Sequence, residues 1–197
     1  MSIKIILAVA AGIGVGYFVL PSEILKYTDY ILDIGLCLLL FFVGIDIGKN
    51  KDVLEKIKKI GFRVLLVPIM IIIGSILGSI VAGLILGIPV NEAGAVGAGL
   101  GWYSLSSMML ATYSSKLSAL AFISNVTREI IALLTIPLIS KYIGDIESIA
   151  PAGATSMDTS LPLIAKSTNP QTAIIAFISG VIVSTSVPIL VSFMIKI

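Results

Sequence analysis

The sequence predicts an all-α polytopic membrane protein. Three observations predict it: 57% of the 197 residues are hydrophobic and only 12% are charged, mean hydropathy is +1.12, and the apolar residues gather into long uninterrupted runs. A soluble domain keeps about a quarter of its residues charged, so water is not the main solvent of this chain. A hydrocarbon core about 30 Å thick takes roughly 20 helical residues to cross. Five runs approach or meet that length, at 3–20, 30–48, 64–88, 117–142 and 171–195, and are read as transmembrane helices.

Each run has its own signature. The first, beside Lys4, has the outline of a signal peptide, yet Gly12, Gly14 and Gly16 lead into Tyr17 and Phe18 with no small-x-small cleavage pattern; it is read as a retained span. The second carries Asp33 near its outer end and Asp46 three residues before Lys49, both read as reaching interfacial water. In the third, Gly74 with Gly78 and Gly83 with Gly87 have the spacing that lets helix backbones approach closely. The fourth holds Arg128 and Glu129 near its middle, and the fifth carries no charge before Lys196.

Two further segments, 93–112 and 150–165, are apolar but interrupted by glycine, serine and threonine and, in the second, by Asp158 and Pro162. A wholly helical 150–165 would cover only about 24 Å, so it is partly extended or re-entrant. Non-helical backbone at membrane depth is tolerated where protein or a water-filled cavity surrounds it. Both segments are therefore expected at the interior, meeting near mid-membrane around one cavity. Ala121-Phe122-Ile123-Ser124 recurs as Ala176-Phe177-Ile178-Ser179, each after an interrupted segment, and transporters often contain such repeats. No domain boundary is visible, so 1–197 reads as a single membrane transport domain.

Lys and Arg counts set orientation. Lys49, Lys51, Lys56, Lys58, Lys59 and Arg63 crowd one loop, whereas the loop at 21–29 has only Lys26. The 49–63 loop and the N-terminus are therefore cytoplasmic and the C-terminus is outside. Whether the interrupted segments both cross or both re-enter, nine cationic residues fall inside and three outside, Arg128 apart, so charge leaves that choice open. The formal net charge of +2 hides this clustering, and no basic face for nucleic acid exists. Cys37 has no partner cysteine and the chain has no histidine, which excludes an intrachain disulfide, zinc-type spacing and Ser-His chemistry. No cofactor, metal site or enzymatic activity is expected.

An ionisable residue at membrane depth costs about 2.5–3.5 kcal/mol on insertion scales and needs a partner or a function. Arg128 and Glu129 sit deepest. Adjacent on a helix, they point about 100° apart and do not satisfy each other; Asn125 shares the face of Glu129, and Ser124 that of Arg128. Asp158 lies in Gly153-Ala154-Thr155-Ser156-Met157-Asp158-Thr159-Ser160-Leu161-Pro162. If this stretch is helical, Pro162 leaves the Asp158 carbonyl without a donor, and a carboxylate beside a free carbonyl suits a cation. The matching Gly99-Leu100-Gly101-Trp102-Tyr103-Ser104 offers flexible backbone, a hydroxyl and an aromatic pair. Broken helices aim N–H groups at carboxylates and carbonyls at cations, which together suit an amino acid.

Gly101-Trp102-Tyr103-Ser104-Leu105-Ser106, the Arg128-Glu129 pair, and Gly153-Ala154-Thr155-Ser156-Met157-Asp158 followed by Leu161-Pro162 resemble the signature segments of the bacterial and archaeal lysine exporter family. Phe41-Phe42-Val43-Gly44-Ile45 is similar to that family's second-helix pattern, so the likeness runs from there to the C-terminus. The resemblance implies a multi-pass plasma-membrane exporter of L-lysine driven by inward proton movement, with Glu129 and Asp158 matching its intramembrane acidic residues. The residues themselves leave open lysine against other cationic amino acids and protons against sodium. Lysine carries two ammonium groups and one carboxylate, so its site needs net negative character. A buried carboxyl favours its protonated form and a bound ammonium favours the charged one; Glu129 or Asp158 then holds a proton when lysine is absent and releases it when lysine binds. Asp158 is expected to touch substrate, Glu129 to carry the proton, and Arg128 to hold or neutralise a carboxylate. Asn125, Trp102, Tyr103, Ser104, Thr155 and Ser156 complete the candidate site. Longer family members carry an additional N-terminal membrane segment, which implies a homo-oligomer or a small membrane subunit beside this chain.

Two other functions compete. An intramembrane aspartyl protease needs two facing aspartates, such as Asp33 and Asp158, but no Gly-x-Gly-Asp arrangement is present. A substrate-free assembly subunit uses buried charges structurally; binding of a labelled cationic amino acid separates it from a transporter.

Overall fold

The computed structural model describes residues 61–197 continuously, with scattered positions between Leu7 and Ile45. The runs 3–20 and 30–48 as continuous helices, Asp33, Asp46 and positions 49–60 of the cationic loop lie outside the described residues. A 3-10 turn, Gly61–Leu65, leads into α1 (Leu66–Leu86), followed by α2 (Val90–Gly97), α3 (Tyr103–Ala111) and α4 (Ser115–Tyr142). Short 3-10 turns at Glu147–Ile149 and Gly153–Met157 precede α5 (Leu161–Ser167) and α6 (Pro170–Met194). No strand occurs among the described residues. Three of these helices, α1, α4 and α6, are long and apolar enough to cross a bilayer, and they match the expected runs 64–88, 117–142 and 171–195 to within two residues at each end.

Local chemistry fixes those ends. Helix α1 stops where Gly87 turns left-handed at φ 69°, a conformation that costs glycine little. The Ser114 side chain accepts the Leu117 N–H at the start of α4, and Asn169 does the same for Thr172 before Pro170 opens α6. Each supplies a partner for a donor that the first helical turn leaves free.

The described residues show close packing at one part of the glycine face of α1. A Cβ added at Gly74 or Gly78 would meet nothing within 4 Å among the described residues outside its own helix, and Gly87 serves as a cap. Close approach is made instead by Gly83 against Ala93 and by Ser75 and Ser79 against Gly97 of α2. Ser75 Oγ also donates to the Gly97 carbonyl at 2.9 Å. Small residues still mediate the contact, but the seam follows the serine face because α2 returns along that side.

Both interrupted segments fold as hairpins that return to the end of the bundle from which they start. Helix α2 runs back along α1, with Gly94 against Met194 near the end of α6. Helix α3 then runs antiparallel to α4, where the Tyr103 and Phe122 rings meet edge to face at 5.5 Å and Ser118 Oγ donates to the Ser107 carbonyl at 2.8 Å. Its last residues, Met109 and Leu110, share a groove with Val191 and Ile195. The segment therefore leaves from, and returns to, the level of the α6 C-terminus. The second hairpin does the same from the opposite face. Asn169 Nδ2 donates to Asp145 Oδ2 at 2.7 Å and Ser140 Oγ donates to the Ser167 carbonyl at 2.8 Å, so both its ends lie at the C-terminus of α4. Its Ala150 and Pro151 carbonyls meanwhile reach Arg128 in the middle of that helix.

Helices α4 and α6 are thus antiparallel, and each follows its own hairpin. The sequence repeat maps onto this arrangement. Ser114 and Asn169 cap their helices seven residues before Ala121 and Ala176, both of which are fully buried. One turn later Asn125 and Gly180 each contact the tip of the preceding hairpin. The repeat is therefore one hairpin plus one long helix, present in two opposite orientations, as in inverted-repeat transporters.

Candidate functional site

The hairpin tips cross at the centre of the fold. The Ala154 N–H donates to the Leu100 carbonyl at 2.9 Å, and Gly101 and Gly153 both take positive φ, 99° and 60°. A Cβ on Gly101 would lie 3.2 Å from the Ala152 carbonyl oxygen, and one on Gly153 would collide with the Leu100 carbonyl oxygen. Glycine is needed at both places because two backbones pass where no side chain fits.

Bent backbone at this depth leaves N–H and C=O groups without helical partners, and two candidate residues supply them. Asn125 is 97% buried. Its Oδ1 accepts the Gly101 N–H at 2.8 Å, while Nδ2 donates to the Ala121 carbonyl at 2.9 Å and the Val96 carbonyl at 3.3 Å. Arg128 does the equivalent for the second hairpin. Nε donates to the Pro151 carbonyl at 3.0 Å, one terminal nitrogen to the Ala150 carbonyl at 3.2 Å and the other to Ser75 Oγ at 2.9 Å.

These contacts correct the sequence reading in four places. Arg128 holds no carboxylate among the described residues; its donors are taken by carbonyls that would otherwise lie unpaired at membrane depth, and such groups cost several kcal/mol each. Asn125 shares the helix face of Glu129, yet it ends in the first tip rather than in the cavity. Ser156 is fully buried, donating to the Gly153 carbonyl at 2.7 Å and the Ala176 carbonyl at 2.9 Å, where it ties its hairpin to α6. The Asp158 carbonyl is not free: the chain there is non-helical, at φ −133° and ψ −96°, and the Leu161 N–H donates to it at 3.1 Å.

Replacing Arg128 by Met should therefore act on the fold. It strands the Ala150 and Pro151 carbonyls, while Ser75 keeps its bond to the Gly97 carbonyl, which predicts a loss of roughly 2–5 kcal/mol, read as a lowered melting temperature of the purified protein in detergent.

A cavity of about 240 Å³ opens beside the crossing. The first hairpin lines it with Gly101, Trp102, Tyr103 and Ser104, the second with Ala154, Thr155, Met157, Asp158 and Thr159, helix α4 with Glu129, and α6 with Ser184. Six of the nine sequence candidates are thus brought together: Glu129, Asp158, Trp102, Tyr103, Ser104 and Thr155. The Thr155 hydroxyl is occupied, donating to the Ala152 carbonyl at 3.0 Å and lying 2.9 Å from Ser160 Oγ.

The acids are linked by a residue absent from the candidate set. Thr159 Oγ1 donates to Glu129 Oε1 at 2.6 Å, and the Thr159 N–H donates to Asp158 Oδ1, also at 2.6 Å. The cavity wall follows the repeat as well. Trp102 and Met157, Tyr103 and Asp158, Ser104 and Thr159, and Glu129 and Ser184 are each separated by the 55 residues that separate Ala121 from Ala176. That spacing, applied to Ser104 and Glu129, finds Thr159 and Ser184 in the sequence.

In chemical terms the arrangement is a half-enclosed chamber with two carboxyl groups on one wall and two aromatic side chains on another. Carboxylates attract ammonium groups directly, and aromatic faces attract them through the ring quadrupole.

Comparison with known proteins gives a consistent result. The family described as "Lysine exporter LysO" matches residues 6–195. A relative in Escherichia coli strain K12, "Lysine exporter LysO", is 32% identical over 191 residues, which cover 96% of this chain and 61% of that protein. A second, "Putative lysine exporter" of Haemophilus influenzae, is 30% identical over 156 residues, 79% of each chain. The chain therefore spans about three-fifths of the length of the Escherichia coli relative. No solved structure matches.

Proposed function

The chain belongs to the lysine exporter LysO family, and from that premise we propose that it is a multi-pass plasma-membrane protein that exports L-lysine in exchange for inward-moving protons. The observation that carries the reading is the pairing of Glu129 and Asp158 through Thr159 on the wall of one cavity. Two carboxyl groups with no arginine paired to them among the described residues give the site the net negative character that a substrate with two ammonium groups requires. Asp158, at the irregular tip, meets an ammonium group; Trp102 and Tyr103 flank it; Glu129 carries the proton. When the cavity is empty one carboxyl holds a proton, and lysine displaces it. Because the hairpins enter from opposite faces, the cavity lies where either side of the membrane can be given access.

Uptake of labelled lysine into inverted vesicles tests this. Accumulation should require an acidic lumen and collapse with a protonophore. Equal uptake with and without the gradient would remove the proton coupling, and no uptake would remove lysine.

Orientation is part of the same reading. Lys141 and Lys166 lie at the end of the bundle where α1 begins, while Lys116 and Lys196 lie at the other. The positive-inside rule then puts the 49–63 loop in the cytoplasm and the C-terminus outside. With Cys37 replaced, Lys56→Cys should resist an impermeant thiol reagent applied to intact cells and react once the membrane is opened. Labelling from outside would reverse the orientation.

A further inference from the structure

The exchange reading assigns roles to Glu129 and Asp158 but none to the residue between them. Thr159 contacts both through different groups. Its side-chain hydroxyl donates to Glu129 Oε1 at 2.6 Å; its backbone N–H donates to Asp158 Oδ1 at 2.6 Å; and the hydroxyl oxygen lies 3.4 Å from that same Asp158 oxygen. A threonine hydroxyl has one proton to give and lone pairs with which to accept another, so it can stand between two carboxyl groups as both donor and acceptor.

Two further ionisable groups lie near this link. Arg128, next to Glu129 in the chain, spends its donors on Pro151, Ala150 and Ser75. Tyr103 is the other titratable group on the cavity wall. The tip that carries Thr159 is fixed by its neighbour, since the Ser160 N–H donates to the Thr155 carbonyl at 2.9 Å and the two hydroxyls lie 2.9 Å apart. The Thr159 backbone therefore holds Asp158 whatever its side chain is, whereas Glu129 depends on the hydroxyl.

We propose that Thr159 is the positioning residue that joins Glu129 and Asp158 into one proton-handling unit, a role that rests on the exchange reading above. In the transfer step the Asp158 O–H bond breaks as its proton joins Thr159 Oγ1, and the original Thr159 O–H bond breaks as that proton joins Glu129 Oε1. One proton passes between carboxyl groups, and Thr159 ends as the neutral hydroxyl it began as. Lysine binding at Asp158 is felt at Glu129 through this hydroxyl.

Thr159→Val keeps the side-chain shape and removes the hydroxyl; Thr159→Ser keeps the hydroxyl. Both go into proteoliposomes beside the wild type, with flux measured in two modes: lysine-for-lysine counterflow, which needs no net proton movement, and flux driven by a proton gradient. Thr159→Val should lower gradient-driven flux at least about tenfold more than counterflow, and Thr159→Ser should restore the wild-type ratio of the two. Equal losses in both modes, retained gradient-driven flux in Thr159→Val, or failure of Thr159→Ser to rescue would each overturn the proposal.

Infrared titration of the lysine-free protein separates this proposal from the reading it rests on. In the wild-type background Glu129→Gln should shift the titration of Asp158, and in Thr159→Val that shift should shrink to the part that the two carboxyl groups exert on each other directly through space. A wild type that moves no lysine removes the lysine reading alone; a shift that is undiminished in Thr159→Val removes the role of Thr159.

Discussion

Replacing Glu129 by Gln or Asp158 by Asn should lower proton-driven lysine flux at least about 100-fold, equivalent to roughly 2.7 kcal/mol, in protein that still folds. The geometry explains why folding should survive. A glutamine oxygen at 129 can accept the Thr159 hydroxyl as Glu129 does, and an asparagine oxygen at 158 can accept the Thr159 N–H. What the amides cannot do is take up and release a proton. The two variants should also differ from each other. Asp158→Asn removes the charge at the irregular tip and should weaken lysine binding along with transport. Glu129→Gln should retain more of the binding and lose the exchange. Binding and flux measured on monodisperse protein separate them, and near wild-type proton-coupled flux in both would leave the carboxylates with a structural role only.

Gly153→Ala should be strongly damaging to the described fold. Gly153 sits at φ 60°, where an L side chain costs roughly 1–2 kcal/mol, and its new methyl would meet the Leu100 carbonyl oxygen and the Arg128 guanidinium. The first obstacle is backbone already bonded to the Ala154 N–H, so it can yield only if the hairpin crossing opens. A total loss of about 4 kcal/mol or more is expected, read as loss of monodisperse protein or a large fall in melting temperature. Gly101→Ala should be milder, because its methyl would stop 3.2 Å from the Ala152 carbonyl oxygen. Equal, small effects of the two substitutions would mean that the crossing is looser than its geometry implies.

Much of this fold was legible because lipid imposes simple rules. The runs at 64–88, 117–142 and 171–195 stand out by length and polarity alone, and three of their ends are set by caps at Gly87, Ser114 and Asn169. The hairpins were legible as breaks, since glycine and hydroxyl residues at 97–107 and 153–160 cannot face lipid. Cationic counts are the same for crossing and returning segments; contacts such as Asn169 with Asp145 bring the two ends of the second hairpin together.

The acids were found from the cost of burying charge, but that argument says nothing about direction. It leaves Arg128 either in a structural pair with a neighbouring element or beside a carboxylate, and among the described residues its donors go to the Ala150 and Pro151 carbonyls and to Ser75. It also let Asn125 follow Glu129 into the cavity, although the Gly101 N–H draws the amide into the first tip. Thr159 was passed over because a hydroxyl among hydroxyls carries no signal of its own; only the 55-residue repeat, pairing it with Ser104, marks it.

The exchange itself is tested most directly by counting protons when lysine binds. Purified wild-type protein in weakly buffered detergent solution near neutral pH should release protons on addition of L-lysine, in proportion to the lysine bound, and Glu129→Gln should bind lysine with the release abolished. Lysine bound by the wild type with no proton released, or release undiminished in Glu129→Gln, would contradict the account.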